Sequence, residues 1–352
     1  QFHGIAQEGL VKALRHKGID GIAVLVSERG HYSLGKAADL LGIGRDQLIK
    51  VKTTDANRID LIALREECRR LQDANIRPLA LVGIAGTTET GNVDPLQQMA
   101  DVAAELGCHF HVDAAWGGPT LFSDRHRHLL TGIEQADSVT IDAHKQLYVP
   151  MGAGMVIFKD PTAVSAIEHH AAYILRHGSK DLGSHTLEGS RPGKALLVHG
   201  GLSIMGRKGY ELLIDLGIER ARTFAELINQ HPDFELTSEP ELNILTYRYC
   251  PADVQQKLET ADSVEQSRVN ALLDQICQLL QKYQREAGKT FVSRTRLRMS
   301  RYGEEITVLR SVLANPLTTN EILLSVLSEQ CEIVQQPEIH ALLGQIETPS
   351  VT

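Results

Sequence analysis

The chain has 352 residues and a mass of 38.7 kDa, long enough for two hydrophobic cores of ordinary size. Its net charge of -8 and sequence pI near 6.0 argue against nucleic acid or an anionic membrane as the main partner, and no apolar run reaches the ~20 residues of a membrane span. The five cysteines are scattered without metal-ligand spacing, so we predict no metal centre and reduced thiols in a cytoplasmic protein.

The first predicted elements place a histidine at a strand end. The chain begins with Gln1 and enters a helical pattern over residues 5–16 without a strand before it, so we expect it to be the C-terminal part of a longer protein. Residues 21–27 (GIAVLVS) predict a buried strand, and Ser33 is expected to cap the helix that follows. His31 then lies in the loop between strand and helix, at a sheet edge that suits ligand binding, with a surface histidine as the alternative.

A second strand end carries hydroxyl groups. Residues 78–86 (PLALVGIAG) predict a strong strand, followed by the glycine- and hydroxyl-rich loop GTTETGNVDP. In this loop Thr87 and Thr88 offer hydrogen-bond donors near a ligand. Asp94, directly before a proline, is typical of an N-cap for the helix expected over residues 96–106.

The stretch from His111 to Lys145 carries the strongest chemical signal. Two short apolar, β-branched runs each end on polar groups: Asp113 after the first, and Asp142, His144 and Lys145 after the second. Because ligands bind at the strand ends of an open α/β sheet, one pocket could receive all of these side chains. A lysine that forms a Schiff base to an aldehyde, with a carboxylate that keeps a pyridine nitrogen protonated, is what pyridoxal phosphate chemistry requires. A helix cap or a surface charge is the alternative for either residue alone.

The remainder of the first half predicts the fold class. Strand and helix patterns alternate five times between residues 21 and 142, which indicates an α/β fold with a mainly parallel sheet flanked by helices. Residues 152–160 predict one more strand. Residues 169–194 have no clear periodicity, and a loop of that length is usually functional or mobile. It contains Tyr173 and Arg191 as candidates for a site, with a solvated arginine as the alternative for Arg191.

The second half predicts a smaller unit. Helical patterns over residues 195–205 and 210–230 lead to strands and helices that suit an α+β layer with an antiparallel sheet. We therefore predict a large cofactor-binding domain over residues 1–200 and a small C-terminal domain over residues 201–352. Arg310 interrupts a β-branched strand run and is costly to bury without a carboxylate. An arginine at the sheet edge paired with a nearby glutamate would explain it structurally.

The segments HVDAAWGG and DAHKQLYVPMGAG resemble the group II pyridoxal-phosphate-dependent decarboxylases, and the resemblance covers nearly the whole chain. It implies a PLP-dependent transferase fold of type I, pyridoxal 5'-phosphate as cofactor, a phosphate-binding turn upstream of Gln1, an antiparallel strand after Lys145, and a homodimer with shared active sites. It implies that His31 stacks on the cofactor ring and assists proton transfer, and that Tyr173, His31 or a residue of the partner subunit protonates the substrate. It also implies cofactor contacts by Thr88, Asp113, Ala115, Asp142, His144 and Lys145.

The predicted substrate also rests on resemblance. The context VLRSVLANP around Arg310 resembles that of the arginine that binds a substrate carboxylate in glutamate decarboxylases, which makes Arg310 a candidate catalytic-site clamp. TLEGSRPG and TVLRSVLANPLTT resemble bacterial aspartate 1-decarboxylases, so we predict conversion of aspartate to β-alanine and CO2, with glutamate to 4-aminobutyrate as the alternative. A transaminase would use the same lysine and aspartate, and the resemblance argues against it. An inactive truncated fragment that acts only as an interaction partner is the alternative from another class.

Overall fold

A computed structural model describes residues 3–169, 182–186, 188 and 190–347. Its larger sheet has six strands: Gly21–Ser27 (β1), Leu48–Val51 (β2), Ile76–Ile84 (β3), His109–Asp113 (β4), Ser138–Asp142 (β5) and Gly154–Phe158 (β6). They lie in the order β2-β1-β3-β4-β5-β6. Strands β1 to β5 are parallel and β6 is antiparallel to β5. The predicted mainly parallel sheet is therefore confirmed, together with the direction of its last strand.

Two helices, Ile5–Glu8 (α1) and Leu10–Lys17 (α2), precede β1. Three more connect parallel strands: Ser33–Leu40 (α3), Leu61–Asp73 (α4) and Leu96–Leu106 (α5). Helices α4 and α5 bury apolar side chains against the sheet. Helix α4 begins where the Asp60 carboxylate accepts the backbone N–H of Ile62 at 2.8 Å. Helix α5 ends at Gly107, whose φ of 59° is the left-handed conformation that glycine adopts without strain. The shared core includes Leu25, Leu64, Leu81, Met99 and Val112.

Two of the predicted helix caps are wrong. Ser33 is the first residue of α3 rather than its cap, and its Oγ is hydrogen-bonded to His31 Nδ1 at 2.8 Å. Asp94 does not cap α5, because its buried carboxylate instead accepts the backbone N–H groups of Ile59 at 2.7 Å and Ile84 at 3.0 Å. These contacts join the loop after β3 to the segment that precedes α4. A buried carboxylate is stabilised by such donors, so it is used here and not as a helix cap.

One long helix joins the two halves of the molecule. Helix α6 spans Lys194–Gln230, and it is interrupted at Gly206, whose φ of 59° and ψ of 177° are not helical. The two helical patterns expected on either side of this position are therefore present as one kinked element. Ile214 and Ile218 pack in the core of the larger sheet, while Phe224 and Ile228 pack in the core of the second sheet. The domain boundary predicted after residue 200 falls within α6 and stays a prediction.

The second sheet is antiparallel and has helices against it. Its strands are Phe234–Ser238 (β7), Ile244–Tyr249 (β8), Ser293–Met299 (β9) and Glu304–Val312 (β10), in the order β7-β8-β10-β9. The helices of this part are Ala252–Thr260 (α7), Ser263–Ala287 (α8), Asn320–Val334 (α9) and Pro337–Glu347 (α10). The smaller α+β layer of the predicted fold class is confirmed. Within the described ranges, no helix has both the length and the apolar character needed to cross a bilayer.

Candidate active site

The carboxyl ends of β3, β4 and β5 meet at one edge of the larger sheet. In the strand register, Asp113 lies beside Ile84 on one side and Thr140 on the other. Beyond the strands, the Ala85 N–H donates to the Asp113 carbonyl at 2.9 Å, and the Asp142 N–H donates to the Ala115 carbonyl at 3.2 Å. The loops that follow these strands are therefore fixed side by side, as the parallel topology predicts.

Lys145 lies one turn beyond β5, next to two other predicted site residues. Its Nζ is 3.0 Å from Asp142 Oδ2, with the lysine side chain 32% exposed and the aspartate 21%. His144 Nε2 is 3.8 Å from the same oxygen, and His144 Nδ1 is hydrogen-bonded to the Ala153 carbonyl at 3.0 Å. A Cβ at Gly154 would lie 3.1 Å from Asp142 Oδ1, so a glycine there leaves room for the carboxylate. Asp142 thus holds the lysine amine in place at the strand end.

Asp113 is the second carboxylate of this edge. It is partly buried at the end of β4, and its Oδ1 accepts the Ala115 N–H at 3.2 Å. Among the described residues, Oδ2 has no hydrogen-bond partner. Two residues earlier in β4, burial lowers the pKa of His111, against the opposing effect of the Asp113 charge. Asp113 therefore offers one acceptor oxygen beside the loop that carries Lys145.

Arg310 reaches the same edge from the second sheet. Its Nε donates to the Thr88 carbonyl at 2.7 Å, which joins β10 to the loop after β3. Because β10 is an inner strand, the alternative of an arginine at the sheet edge is wrong. Burial lowers the pKa of the guanidinium, while the nearby Glu89 charge raises it. Within the described part of the chain, its terminal nitrogens have no hydrogen-bond partner, so they can meet an anion.

A family model described as the pyridoxal-dependent decarboxylase conserved domain matches residues 10–250. The chain belongs to this family. The resemblance seen in the sequence is thus confirmed, and so is the fold class, because a structure of mouse CSAD in apo form superposes with a TM-score of 0.82 at 28% identity over 94% of this chain. That alignment covers 66% of the mouse chain. A structure of Oryza sativa TDC with PLP and tryptamine, at 22% identity, has a TM-score of 0.79, covers 92% of this chain and 66% of that one, and supports the fold alone.

Two curated members of this decarboxylase family have names that refer to aspartate. An aspartate 1-decarboxylase of Aliivibrio fischeri is 58% identical over 347 residues, which is 98% of this chain and 63% of the relative. An L-aspartate decarboxylase, dtxS4, of Metarhizium robertsii is 34% identical over 249 residues, or 68% of this chain and 50% of the relative. The chain therefore spans less than two thirds of the length of these curated relatives.

Family membership confirms pyridoxal phosphate as the cofactor, and the residues at the sheet edge fit it. Lys145 supplies an amine for the cofactor aldehyde, and the free oxygen of Asp113 can accept a pyridinium N–H. The backbone at Ala115 and Thr88 lies along the same edge. The assignment of each residue to the cofactor stays a prediction.

His31 is one of the two predicted proton-transfer residues, and its contacts are local. His31 lies after β1, where its Nδ1 is hydrogen-bonded to Ser33 Oγ at 2.8 Å and its ring packs at 4.2 Å from the Tyr32 ring. It lines a cavity of about 330 Å³ with the cationic side chains of Lys36, Arg45 and Lys50. Its contacts therefore lie within its own turn rather than with another predicted site residue. Tyr173 lies outside the described residues, and Arg191 is exposed.

Tyr148 lies beside the candidate site and was not predicted from the sequence. Its φ of 56° is unusual for a residue with a side chain, and its hydroxyl donates to the Ala314 carbonyl at 2.6 Å. Burial raises the pKa of this phenol, so it remains a donor. Tyr148 thus ties the Lys145 turn to the segment after Arg310. Its only sequence signal is its closeness to the lysine motif, because a positive φ at tyrosine cannot be inferred from composition.

A group with metal-ligand spacing lies away from this edge. His231, Asp233 and Cys331 place one ligand atom each within 4.8 Å of one another. The Asp233 N–H donates to His231 Nδ1 at 3.2 Å, so the neutral ring carries its proton on Nε2, which faces Cys331 Sγ at 3.7 Å. A proton on that nitrogen competes with a metal ion, and we assign no metal to this group.

Proposed function

We propose that the protein is a carboxy-lyase that converts L-aspartate to β-alanine and CO2 with pyridoxal phosphate. The observation that carries the proposal is the placement of Arg310, whose Nε is engaged by the Thr88 carbonyl at 2.7 Å while its terminal nitrogens can meet a substrate carboxylate. The 58% identity to an aspartate 1-decarboxylase supports the choice of aspartate. The second carboxylate of an acidic amino acid is the group that this guanidinium would recognise.

In this proposal the groups at the sheet edge hold the cofactor and the substrate. Lys145 would bind the cofactor aldehyde, with Asp142 at 3.0 Å keeping its side chain at the strand end. Asp113 would keep the pyridine nitrogen protonated. When bound, pyridoxal phosphate supplies a ring that accepts the electron pair released as the bond between Cα and the carboxylate carbon breaks. Thr88, Ala115 and His144 would line the cofactor.

The substrate must also be oriented and reprotonated. Arg310 would bind the side-chain carboxylate of aspartate, which fixes the α-carboxylate as the group that leaves. A proton must then reach Cα, and His31 is the described residue that we propose as its donor, with Tyr173 as the other candidate. His31 lies in a turn after β1, on the same edge of the sheet, and its Nδ1 is engaged by Ser33.

We also propose a cytoplasmic homodimer. The five cysteines are all free thiols, in keeping with a reducing compartment. The first part of α6 exposes apolar side chains that a second copy could cover, among them Leu196 at 74% exposure and Ile204 at 85%. A subunit interface there would lie at the start of the helix that contacts both cores.

The deciding experiment combines a visible absorption spectrum with CO2 release. The purified protein with added pyridoxal phosphate should gain a visible absorption band and release CO2 from aspartate faster than from glutamate or an aromatic amino acid. Lys145→Ala should lose the band and at least roughly a thousandfold in rate, because no other amine would bind the aldehyde in the correct position. Lys159→Ala, which removes an exposed lysine after β6, is the matched control and should behave as the wild type. A wild-type protein without the band, or with the band but inactive on aspartate, would contradict the proposal.

A further inference from the structure

We infer that the turn Glu241–Asn243, between β7 and β8, positions the loops that carry the proposed cofactor residues. We name these the first loop (residues 85–94, after β3), the second loop (residues 114–118, after β4) and the third loop (residues 143–149, after β5). Each of the three residues of the turn contacts at least one loop. The inference rests on the proposed function only in the role it gives to the loops, since the contacts exist without it.

Glu241 holds the first loop through both carboxylate oxygens. Its Oε1 accepts Asn92 Nδ2 at 2.7 Å and Arg58 Nε at 2.8 Å, and its Oε2 accepts the backbone N–H of Val93 at 3.2 Å. The Glu241 side chain is only 15% exposed, so these bonds are partly shielded from water. The first loop is therefore fixed at Asn92 and Val93 by the turn, and at Thr88 by Arg310.

Leu242 fills the space between the first and second loops. It is fully buried and belongs to the core of the larger sheet, although it lies next to a strand of the second sheet. A Cβ at Gly86 would lie 3.2 Å from its Cδ1, and a Cβ at Gly117 would lie 3.0 Å from the same atom. Glycines at these positions let both loops pack directly on the leucine.

Asn243 binds the second and third loops with one amide group. Its Oδ1 accepts Trp116 Nε1 at 2.8 Å, and its Nδ2 donates to Gln146 Oε1 at 3.2 Å. Gln146 in turn donates from Nε2 to the Trp116 carbonyl at 2.7 Å, which closes a ring of three bonds. The Asn243 carbonyl also accepts the Leu313 N–H at 2.8 Å, so the same residue is anchored near the end of β10.

These contacts make the turn a positioning element rather than a catalytic one. Thr88 lies in the first loop, Ala115 in the second, and Lys145 in the third, so a single turn fixes the relative placement of all three. The amide of Asn243 is buried, and every bond it makes depends on which atom is oxygen and which is nitrogen. Substitutions that keep the shape but change donors and acceptors can therefore test the turn without creating a cavity.

Two near-isosteric variants test the contacts to the first loop and the contacts to the other two loops separately. Glu241→Gln replaces an acceptor oxygen by a donor amide that must face Val93, Asn92 or Arg58, so the first loop should loosen. Asn243→Asp keeps an acceptor for Trp116 but places a second oxygen against Gln146 Oε1, so the second and third loops should loosen. Glu239→Gln, an exposed residue before the same turn, and Asn229→Asp, exposed on α6, are the matched controls.

Hydrogen exchange of the cofactor-free proteins, followed by titration with pyridoxal phosphate, tests the inference. We expect exchange to rise roughly tenfold in the first loop for Glu241→Gln, and in the second and third loops for Asn243→Asp, with no change in the controls. The dissociation constant for pyridoxal phosphate should rise by a similar factor in both variants. If Asn243→Asp does not fold, Trp116→Phe removes the donor to the same oxygen and keeps an aromatic ring.

Two outcomes overturn the inference. An equal rise of exchange in both sheets would mean that the turn only stabilises the fold. An unchanged dissociation constant for pyridoxal phosphate would mean that the turn does not set the placement of the three loops. Failure of the proposed function is a separate result. A wild-type protein that binds the cofactor but leaves aspartate intact would contradict the function, while the exchange and affinity data would still decide the role of the turn.

Discussion

Arg310 donates from Nε to the Thr88 carbonyl at 2.7 Å and points its terminal nitrogens to no acceptor among the described residues. If these nitrogens bind the side-chain carboxylate of aspartate, Arg310→Lys keeps the charge but loses the planar fork. We expect a fall in kcat/KM for aspartate of roughly 10- to 100-fold, mostly through KM, because a charge-assisted pair of bonds contributes to substrate binding. Steady-state CO2 release measures it. Arg296→Lys on β9, an exposed residue, is the control, and an unchanged KM in Arg310→Lys would rule out the clamp.

The contribution of Asp94 to the stability of the fold depends on pH because its side chain is buried. Desolvation raises the pKa of this carboxyl to about 7, against the backbone N–H groups of Ile59 and Ile84, which favour the charged form. The folded protein therefore keeps a proton that the unfolded chain releases above about pH 4, so this group lowers stability as the pH rises from about 4 to about 7.

Chemical denaturation of the wild type and of Asp94→Asn across this window checks the sign. Because asparagine does not titrate, the free energy of unfolding of the wild type should fall relative to that of Asp94→Asn as the pH rises, by at most ~1.4 kcal/mol per pH unit. Asp55→Asn removes an exposed aspartate and should show no such trend. A wild type whose free energy of unfolding stays constant or rises with pH relative to Asp94→Asn would mean that Asp94 is ionised throughout, held by its two backbone donors.

At the scale of secondary-structure elements, the sequence pattern predicts the bounds of an element correctly where its periodicity agrees with its burial. The predicted strand over residues 21–27 and helix over residues 96–106 have the bounds found for β1 and α5, because each buries a clear apolar face. Helices α7 and α10 were not predicted. Each has only two buried residues by which a pattern could be recognised, so packing against the rest of the small unit decides their structure.

The candidate site likewise contains some residues that could be placed from the sequence and others that could not. Asp113, Asp142 and Lys145 could be placed at one edge because parallel strands end together. The turn at Asn243 could not, since its bond to Trp116 joins residues 127 positions apart and depends on how the two sheets pack. An asparagine between two strands is typical of an exposed loop. Only in the assembled fold is Asn243 buried and hydrogen-bonded to both the second and the third loop.

For the whole molecule, the proposed dimer depends on the apolar surface at the start of α6. Leu196 is 74% exposed and Ile204 is 85% exposed, on the same helix as exposed Leu197, Leu202 and Met205. A surface of this kind is costly in water, so we expect light scattering to give about twice the 38.7 kDa of one chain. The double variant Leu196→Glu/Ile204→Glu should be monomeric and should lose CO2 release, because the active sites are proposed to need both subunits.

Ile62→Glu provides the matched control for this prediction. Ile62 is 73% exposed on α4, so the substitution adds one charge of the same sign to a similarly exposed apolar position on another face. It should leave both the mass and the activity unchanged. A monomeric wild type, or a double variant that still forms dimers, would show that the α6 surface has another role. A monomeric variant with full activity would instead separate dimer formation from the chemistry at Lys145, and each subunit would then contain a complete site.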